Sequence, residues 1–451
     1  FSIIFFMEIF PNSFFAIECV AIFAIFTSQV WNMIFSFYQS IIALPKELKE
    51  VSIVYKFSFW QRFFRLELPY SIPNLIWNSM MSISSGWFFV VLSESIFFAN
   101  NHIVLPGLGS YIGKAILEAN FTAISYSIFA MFCVILLHDQ LFFRPLLVWS
   151  EKFKFFIDNN APYYSSWFYN LFNECNLLKK IDFYYIFMKF FMNVNFIFFL
   201  KIKNKFKLEG FYTFVKIVIF CFLLFLIYFF LKNIIIFEII NVFYLCTLTG
   251  IKVVLLIFLA SLVWVPVGVF IGLNKKLSFF LQPIIQFLAA FPANFFYPLI
   301  IILILSYKLN HDFWTMPLMI LGTQWYILFN VIAGANSIST DLYYVSLNFG
   351  LTGYNLWKRL FLPSIFPNYV TGVVTAAGGC WNASIVAEFV QWGNDTIIST
   401  GIGSYISNCT MLGDFSRIFL GIFVMSLYVL FLNRFLWKRL YNFSAEKFLV
   451  N

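Results

Sequence analysis

The residues able to do chemistry are sparse in this chain, and their spacing excludes more than it supports. His102, His138 and His311 are scattered without metal-ligand spacing, and neither a nucleophile elbow nor a zinc-protease motif occurs. Seven cysteines (Cys19, Cys133, Cys175, Cys221, Cys246, Cys380 and Cys409) lack CxxC spacing and mostly sit in apolar stretches, where a thiol serves as a small hydrophobe. Neither a disulfide nor a metal site is expected. Gly107 to Lys114 has the composition of a phosphate loop, but Leu108 and Ala115 stand where such a loop needs Gly and Ser or Thr. Two acids differ from the rest. Glu94 and Glu388 lie near the ends of apolar runs, where an ionisable side chain usually faces a cavity or a partner. Either they form a gate or solute-facing pair, or each is a helix-end carboxylate bonded to nearby backbone or reaching lipid headgroups.

The elements that must position these residues are apolar helices. Hydrophobic residues make up 62% of the chain and charged residues 11%, far from the mix of a soluble domain. Runs such as Ile217 to Leu231, Val253 to Leu273 and Ile284 to Leu305 approach or exceed the ~20 apolar residues a helix needs to cross a bilayer. No alternating ten-residue strand pattern is visible, so an all-α polytopic membrane bundle is expected, not a barrel. The excess of Lys and Arg, 29 against 20 acids, collects in short segments between apolar runs and reads as orientation rather than nucleic-acid binding.

An internal repeat organises the chain. Leu68-Pro69 and Pro73-Asn74 recur as Leu362-Pro363 and Pro367-Asn368, an offset of 294 residues. The same offset places Trp31 on Trp325, Trp87 on Trp381, Glu94 on Glu388, and Gly107-Leu-Gly-Ser-Tyr-Ile on Gly401-Ile-Gly-Ser-Tyr-Ile. The second copy has six expected spans, near 212–231, 247–273, 282–306, 314–335, 364–391 and 417–437. The first copy begins inside its third span, so truncation at the N-terminus is expected. The domains are then 1–144 and 212–451, joined by a linker over 145–211. That linker is Lys-rich. Its apolar stretch Phe183 to Leu200 is expected to lie in the interface with Lys189 snorkelling, since a further span would turn the two matching basic loops to opposite faces. Lys46, Lys49, Lys56, Arg62 and Arg65 cluster in one loop, matched by Lys358 and Arg359 in the other, which assigns that side to the cytoplasm.

Those two loops, 44–69 and 338–363, are too polar for lipid and too patterned for slack chain. Pro45 suits a first helical turn, and Ser58 with Gln61 has capping-box spacing for a second short helix. Two short helices at right angles to the bundle are expected, with Pro69 and Pro73 marking the turn into the next span.

Here the sequence resembles the integral permeases of bacterial binding-protein-dependent importers. Their cytoplasmic loop reads Glu-Ala-Ala, three residues, Gly, then Leu-Pro twelve residues on. Glu50-Val51-Ser52 and Lys56 occupy those places in the first copy, and Tyr344-Val345-Ser346 and Gly350 in the second. Trp381-Asn382 through Glu388-Phe389, and Asn433-Arg434 through Trp437, are similar to the nitrate, sulfonate and taurine branch in its fused two-repeat form. The resemblance implies that the loops are coupling helices seated in a cleft of a separate ATPase subunit, present in two copies and binding the ATP and Mg. It also implies a periplasmic or lipid-anchored solute-binding protein, a site in the bacterial inner membrane, and no cofactor on this chain. The implied coupling positions are Pro45, Glu47, Glu50, Ser52, Lys56, Trp60 and Pro69, and Asp341, Tyr344, Ser346, Gly350, Trp357 and Pro363. A Lys in a left-handed turn costs on the order of 1 kcal/mol more than Gly, so the first copy is expected to turn differently at Lys56.

Two other functions fit less well. A secondary transporter also uses intramembrane acids and repeats, but the repeats here are parallel and no broken helix stands out. A membrane-embedded enzyme needs clustered His, Asp or Ser inside the bundle, and none is visible.

Overall fold

Long apolar helices are the only open-ended way to satisfy backbone polar groups in lipid, and they dominate this chain. The computed structural model describes residues 13–42, 44–98, 101–153, 166–174, 234–393 and 395–448, with isolated positions 5, 6, 9, 10 and 218. Among the described residues five helices are long and apolar enough to span a bilayer: Phe14–Ile42, Phe121–Phe153, Ile236–Leu273, Gly353–Ala387 and Phe415–Ser444. The expected span at 212–231, the interfacial stretch 183–200 and Lys189 lie outside the described residues.

Several expectations need correction. The second span of the second copy starts at Ile236 rather than 247. The third is broken, with Lys276–Ala290 and Ala293–Ser306 meeting at 77°. Pro292 stands at that break, where the missing N–H cannot continue the preceding helix but suits the start of the next. The fourth is also broken, with His311–Ile320 and Gln324–Asn336 meeting at 43° across a turn that holds Gly322. Broken helices are therefore present, contrary to the expectation from sequence. The fifth helix ends at Ala387, not 391, because the chain passes directly into a hairpin.

The 294-residue offset recurs in the backbone. Helix Lys46–Val54 corresponds to Thr340–Asn348, and Phe121–His138 to Phe415–Leu432. Four single π-turns fall in register, Phe63–Glu67 with Trp357–Phe361 and Asp139–Phe143 with Asn433–Trp437. Two antiparallel hairpins also match: β1 (Ser95–Phe98) with β2 (Asn101–Val104), and β3 (Phe389–Trp392) with β4 (Asp395–Ile398). Their registers agree, Ser95 opposite Val104 and Phe389 opposite Ile398.

The described chain forms two compact units. One comprises Phe1–Ser28, Ile83–Cys133 and Asn233–Asn451, and the other Gln29–Ser82 and Val134–Lys232. In the larger unit, helices Ile236–Leu273, Gln324–Asn336 and Leu362–Ala387 build the core around Val331, Ile365, Ala376 and Cys380, all buried. Lipid gives no hydrophobic drive to pair helices, so small residues must let them approach. A Cβ on Gly268 would come within 2.7 Å of Val331, and one on Gly272 within 2.5 Å of Ala335. In the smaller unit three amide–hydroxyl hydrogen bonds reach across between helices. Asn74 Nδ2 donates to Ser40 Oγ at 3.0 Å, Asn78 Nδ2 to Ser36 Oγ at 3.0 Å, and Asn32 Nδ2 to Ser82 Oγ at 2.9 Å.

Candidate functional site

The two basic loops share one backbone course. In the first, Pro45 precedes helix Lys46–Val54, Glu47 lies in its first turn, and Glu50 is exposed. Ser52 is buried and donates from Oγ to the Lys49 carbonyl at 2.6 Å. The helix closes as Phe57 N donates to Ser52 O at 3.0 Å, across Lys56 at φ 48°. In the second loop Asp341 lies in the first turn of Thr340–Asn348, and Ser346 Oγ donates to the Tyr343 carbonyl at 2.7 Å. Leu351 N donates to Ser346 O at 3.1 Å, across Gly350 at φ 72°. The expected different turn at Lys56 is thus corrected. The same helix-closing bond is made in both copies, and it holds the Lys in the left-handed region that glycine adopts freely.

The second short helix of each loop is not separate. The capping box forms as expected, with Gln61 N donating to Ser58 Oγ at 3.3 Å and Ser58 N to Gln61 Oε1 at 3.0 Å. From there Phe59–Arg62 runs through the π-turn into the following helix, which bends by 50° between Phe59–Met80 and Ser85–Glu94, whereas Gly353–Ala387 is one helix of 35 residues. Pro69 and Pro363 therefore sit inside continuous helix rather than at a corner. Each follows a π-turn, in which Leu68 N reaches Phe63 O and Leu362 N reaches Trp357 O, a shifted pattern that accommodates the missing proline donor. Trp60 is exposed and packs edge-on against Phe59 and Phe63, while Trp357 packs edge-on against Phe361. Arg62 pairs with buried Glu67 at 2.6 Å. The equivalent positions in the second copy are Leu356 and Phe361, both buried, so an ion pair in one repeat stands where the other has apolar packing.

Each loop presents an apolar knob. Ile53, Val54 and Tyr55 are exposed in the first, and Tyr344, Phe349 and Tyr354 in the second, with Phe349 at 80%.

At the C-terminal ends of the helices Leu68–Glu94 and Leu362–Ala387 the two acids occupy matching places. Glu94 accepts from Gly109 N at 2.5 Å, and Glu388 from Gly403 N at 2.7 Å. Each is the anion at the start of a helix, Leu108–Leu117 or Ile402–Leu412, whose first N–H groups have no internal acceptor. The Gly-rich start that resembles a phosphate loop does hold an anion, and the anion is the chain's own carboxylate. The space demands glycine. A Cβ at Gly107 would overlap the Glu94 carboxylate and one at Gly401 that of Glu388, whereas the φ angles of 176° and 174° are ordinary extended backbone.

Glu388 is 0% exposed and belongs to a polar network. Thr249 Oγ1 donates to its Oε1 at 2.9 Å, and Lys252 Nζ to the same oxygen at 3.2 Å. Lys252 also donates to Ser399 Oγ at 2.8 Å and to the Thr400 carbonyl at 2.7 Å. Asp312 Oδ1 then accepts from Thr400 N at 2.6 Å and from Ser399 Oγ at 3.1 Å. One buried carboxylate thereby ties the helix Ile236–Leu273 to the β3–β4 hairpin and to the helix after it. Nearby, Tyr405 donates to Glu238 Oε1 at 2.9 Å, and burial together with that carboxylate pushes the Tyr405 phenol up. Lys252, Thr249 and Asp312 are absent from the sequence reading. The signal was a single Lys within 38 apolar-rich helical residues, which demands an internal partner.

Two cavities lie along the helix ends beside this network. The larger, about 390 Å³, is lined by Val91, Ser95 and Ile116 and by their repeat equivalents Ile385, Phe389 and Thr410. The smaller, about 60 Å³, is walled by Phe88 and Phe89 with Asn382 and Ala383, again equivalent pairs, and by Tyr297 and Tyr326. Both therefore sit where the two repeats face one another.

A bundle of apolar helices with two basic, amphipathic loops in register is the arrangement of a membrane transport component, and comparison with known proteins identifies its kind. The chain belongs to the family of binding-protein-dependent transport system inner membrane components, whose model matches residues 1–139 and 264–439. It is 27% identical over 177 residues to the bicarbonate transport system permease protein CmpB of Synechococcus elongatus, covering 39% of this chain and 60% of the relative. It is 27% identical over 179 residues to the nitrate import permease protein NrtB of the same organism, covering 39% and 61%. To the putative aliphatic sulfonates transport permease protein SsuC of Bacillus subtilis it is 22% identical over 160 residues, covering 36% and 54%. The chain thus spans about 60% of the length of the first of these relatives.

Proposed function

We propose that this chain is the membrane permease of an ATP-binding-cassette importer in a bacterial inner membrane, forming the solute pathway while a separate ATPase hydrolyses ATP. Residues 1–144 and 212–451 are read as two permease repeats and 145–211 as a cytoplasmic linker. The observation that carries the reading is the pair of basic loops. Each has an exposed apolar knob on a short helix, closed by a left-handed residue at the same position and followed by a π-turn that continues into a longer helix. Such a knob can pass force to the bundle, whereas slack chain cannot. A secondary transporter has no use for two knobs of matching geometry outside the membrane, even though the broken helices at Pro292 and Gly322 are of a kind such transporters also use.

In this reading one chain supplies both coupling loops and pairs with two ATPase subunits, and a solute-binding protein delivers the cargo. Glu94 and Glu388 act as positioning residues that hold the outer hairpins and helices, a role favoured over direct solute contact by the burial of Glu388. The test is copurification of the ATPase across a salt series with Glu50→Ala and Tyr344→Ala in the full chain. Glu50 offers a charge to a basic cleft, and losing one partner of a desolvated pair typically costs about 2–5 kcal/mol. Its variant is expected to release the ATPase and lose salt sensitivity, while Tyr344→Ala weakens retention at all salt concentrations. A chain that brings down no ATPase at any salt would overturn the importer reading, and identical salt profiles would remove the charge at Glu50 from the account.

A further inference from the structure

The last spanning helix of each copy runs into a π-turn, and the charges at the two turns differ. At Asp139–Phe143, Arg144 Nε donates to Asp139 Oδ2 at 3.0 Å, and Gln140 Nε2 donates to the same oxygen at 3.1 Å. The one cation there is neutralised by its own helix. At Asn433–Trp437 the positions equivalent to Asp139, Gln140 and Arg144 hold Asn433, Arg434 and Lys438, and Arg439 stands where the first copy has Pro145. Three cations therefore gather with no acid at the turn. Among the described residues none of them makes an ion pair.

The turn also sets their placement. Its bond from Lys438 N to Asn433 O closes over five residues, so positions four and five apart fall on one side of the helix. Arg434, Lys438 and Arg439 share that side, and all three are exposed. The Arg439 guanidinium carbon lies 5.7 Å from the centre of the Phe435 ring, a cation beside an apolar surface. Leu430, Phe431 and Phe435 are exposed apolar side chains of the same stretch, and they belong to a helix long and apolar enough to span a bilayer. Phe443, in the helix Lys438–Phe448, packs edge-on against Phe366 with ring centres 5.8 Å apart. The cluster thus stands at the same end of Leu362–Ala387 as the loop 338–363, the side that charge assigns to the cytoplasm.

Two kinds of surface meet here, and one partner satisfies both. The guanidinium fork suits phosphate oxygens, and cations just beyond the cytoplasmic end of a spanning helix attract anionic headgroups. The exposed Leu430 and Phe431 beside them suit acyl chains. A free anion or an acidic protein surface would match only the cations.

We infer that Arg434, Lys438 and Arg439 hold the phosphate of an anionic phospholipid of the cytoplasmic leaflet, at a turn whose first-copy equivalent is neutralised by Asp139. A headgroup held there fixes the helix Lys438–Phe448, which braces the loop end of Leu362–Ala387 through Phe443. The inference goes beyond the importer reading and needs only that the chain is a membrane component.

The test is native mass spectrometry of the full chain, delipidated in an uncharged maltoside detergent and titrated with phosphatidylglycerol or with phosphatidylcholine of the same acyl chains. Phosphatidylglycerol is expected to bind the more tightly. Replacing Arg434, Lys438 and Arg439 together by Gln should weaken it at least about tenfold and leave phosphatidylcholine unchanged. Asn433→Asp restores the acid of the first copy, whose pairing geometry with the equivalent cation is already realised at Asp139 and Arg144. It should weaken phosphatidylglycerol several-fold without removing a cation. Arg144→Gln should change it by less than about twofold, because Asp139 already neutralises that charge. Millimolar inorganic phosphate or glycerol 3-phosphate should not displace the lipid.

Equal binding of the two lipids, a triple variant or an Asn433→Asp variant that binds phosphatidylglycerol as the unsubstituted chain does, or a comparable loss with Arg144→Gln would each overturn the inference. Displacement by inorganic phosphate would make the cluster a free-anion site and overturn it as well. A triple variant that keeps phosphatidylglycerol but no longer copurifies with the ATPase would assign the cluster to a protein partner instead. Lipid binding is read on the chain alone, so its failure is distinct from failure of the importer reading.

Discussion

Replacing Lys252 with Met keeps the length and apolar stem of the side chain and deletes its charge. Glu388 then stays fully buried with only Thr249 and the Gly403 amide to serve its carboxylate. At the observed 3.2 Å separation, Coulomb's law with an effective dielectric of about 20 gives roughly 5 kcal/mol of lost attraction. Breaking one side of a buried pair costs about 3–5 kcal/mol in proteins generally. Lys252→Met should therefore lower unfolding free energy by ~3–5 kcal/mol. Glu388→Gln should cost less, on the order of 1–3 kcal/mol, because Lys252 keeps Ser399 and the Thr400 carbonyl. The double variant has no orphaned charge and should recover about 2 kcal/mol or more relative to additivity. Reversible unfolding by SDS titration in mixed micelles, followed by tryptophan fluorescence, measures all three. Additivity within about 0.5 kcal/mol would refute the lock, since groups that do not interact add.

Other outcomes follow from the same geometry. Lys56→Gly should stabilise by about 1 kcal/mol, and Gly350→Ala should destabilise by a similar amount, measured in the same titration; opposite signs would deny the shared left-handed turn. Gly403→Ala places a Cβ against the Ser384 backbone and should abolish folding or cost several kcal/mol, whereas Gly378→Ala meets open space and should be silent. Glu67→Phe with Arg62→Leu copies the second repeat's residues into the first. Each single change should destabilise and the pair should approach neutrality, because apolar replacements of a buried pair are tolerated when made together.

The large features were legible because the duplication repeats residues of special conformation. Pro69 and Pro363, Glu94 and Glu388, and Gly107 and Gly401 keep register over 294 residues, and the hairpins, π-turns and helix starts recur at that spacing. Lys56 was misjudged for a physical reason: a penalty near 1 kcal/mol is no larger than what the helix-closing bond can offset. The hairpins were missed because four-residue strands carry too little alternation to compete with the apolar helices before them, although Gly393-Asn394 is a turn pair in the second. The Lys252 network could not be read from spacing at all, since its partner Glu388 lies 136 residues away and only packing joins them.

The π-turns have a mechanical consequence. Each adds one residue to a helical turn, and one residue corresponds to about 100° of rotation around the axis. Gly353–Ala387 is thus a shaft whose two ends present different sides, with the offset set at Trp357–Phe361. A twist applied to the loop end arrives at the cavity end already phased to it. Removing a single residue from Trp357–Phe361 would leave the shaft intact and turn its loop end by more than a quarter of a circle.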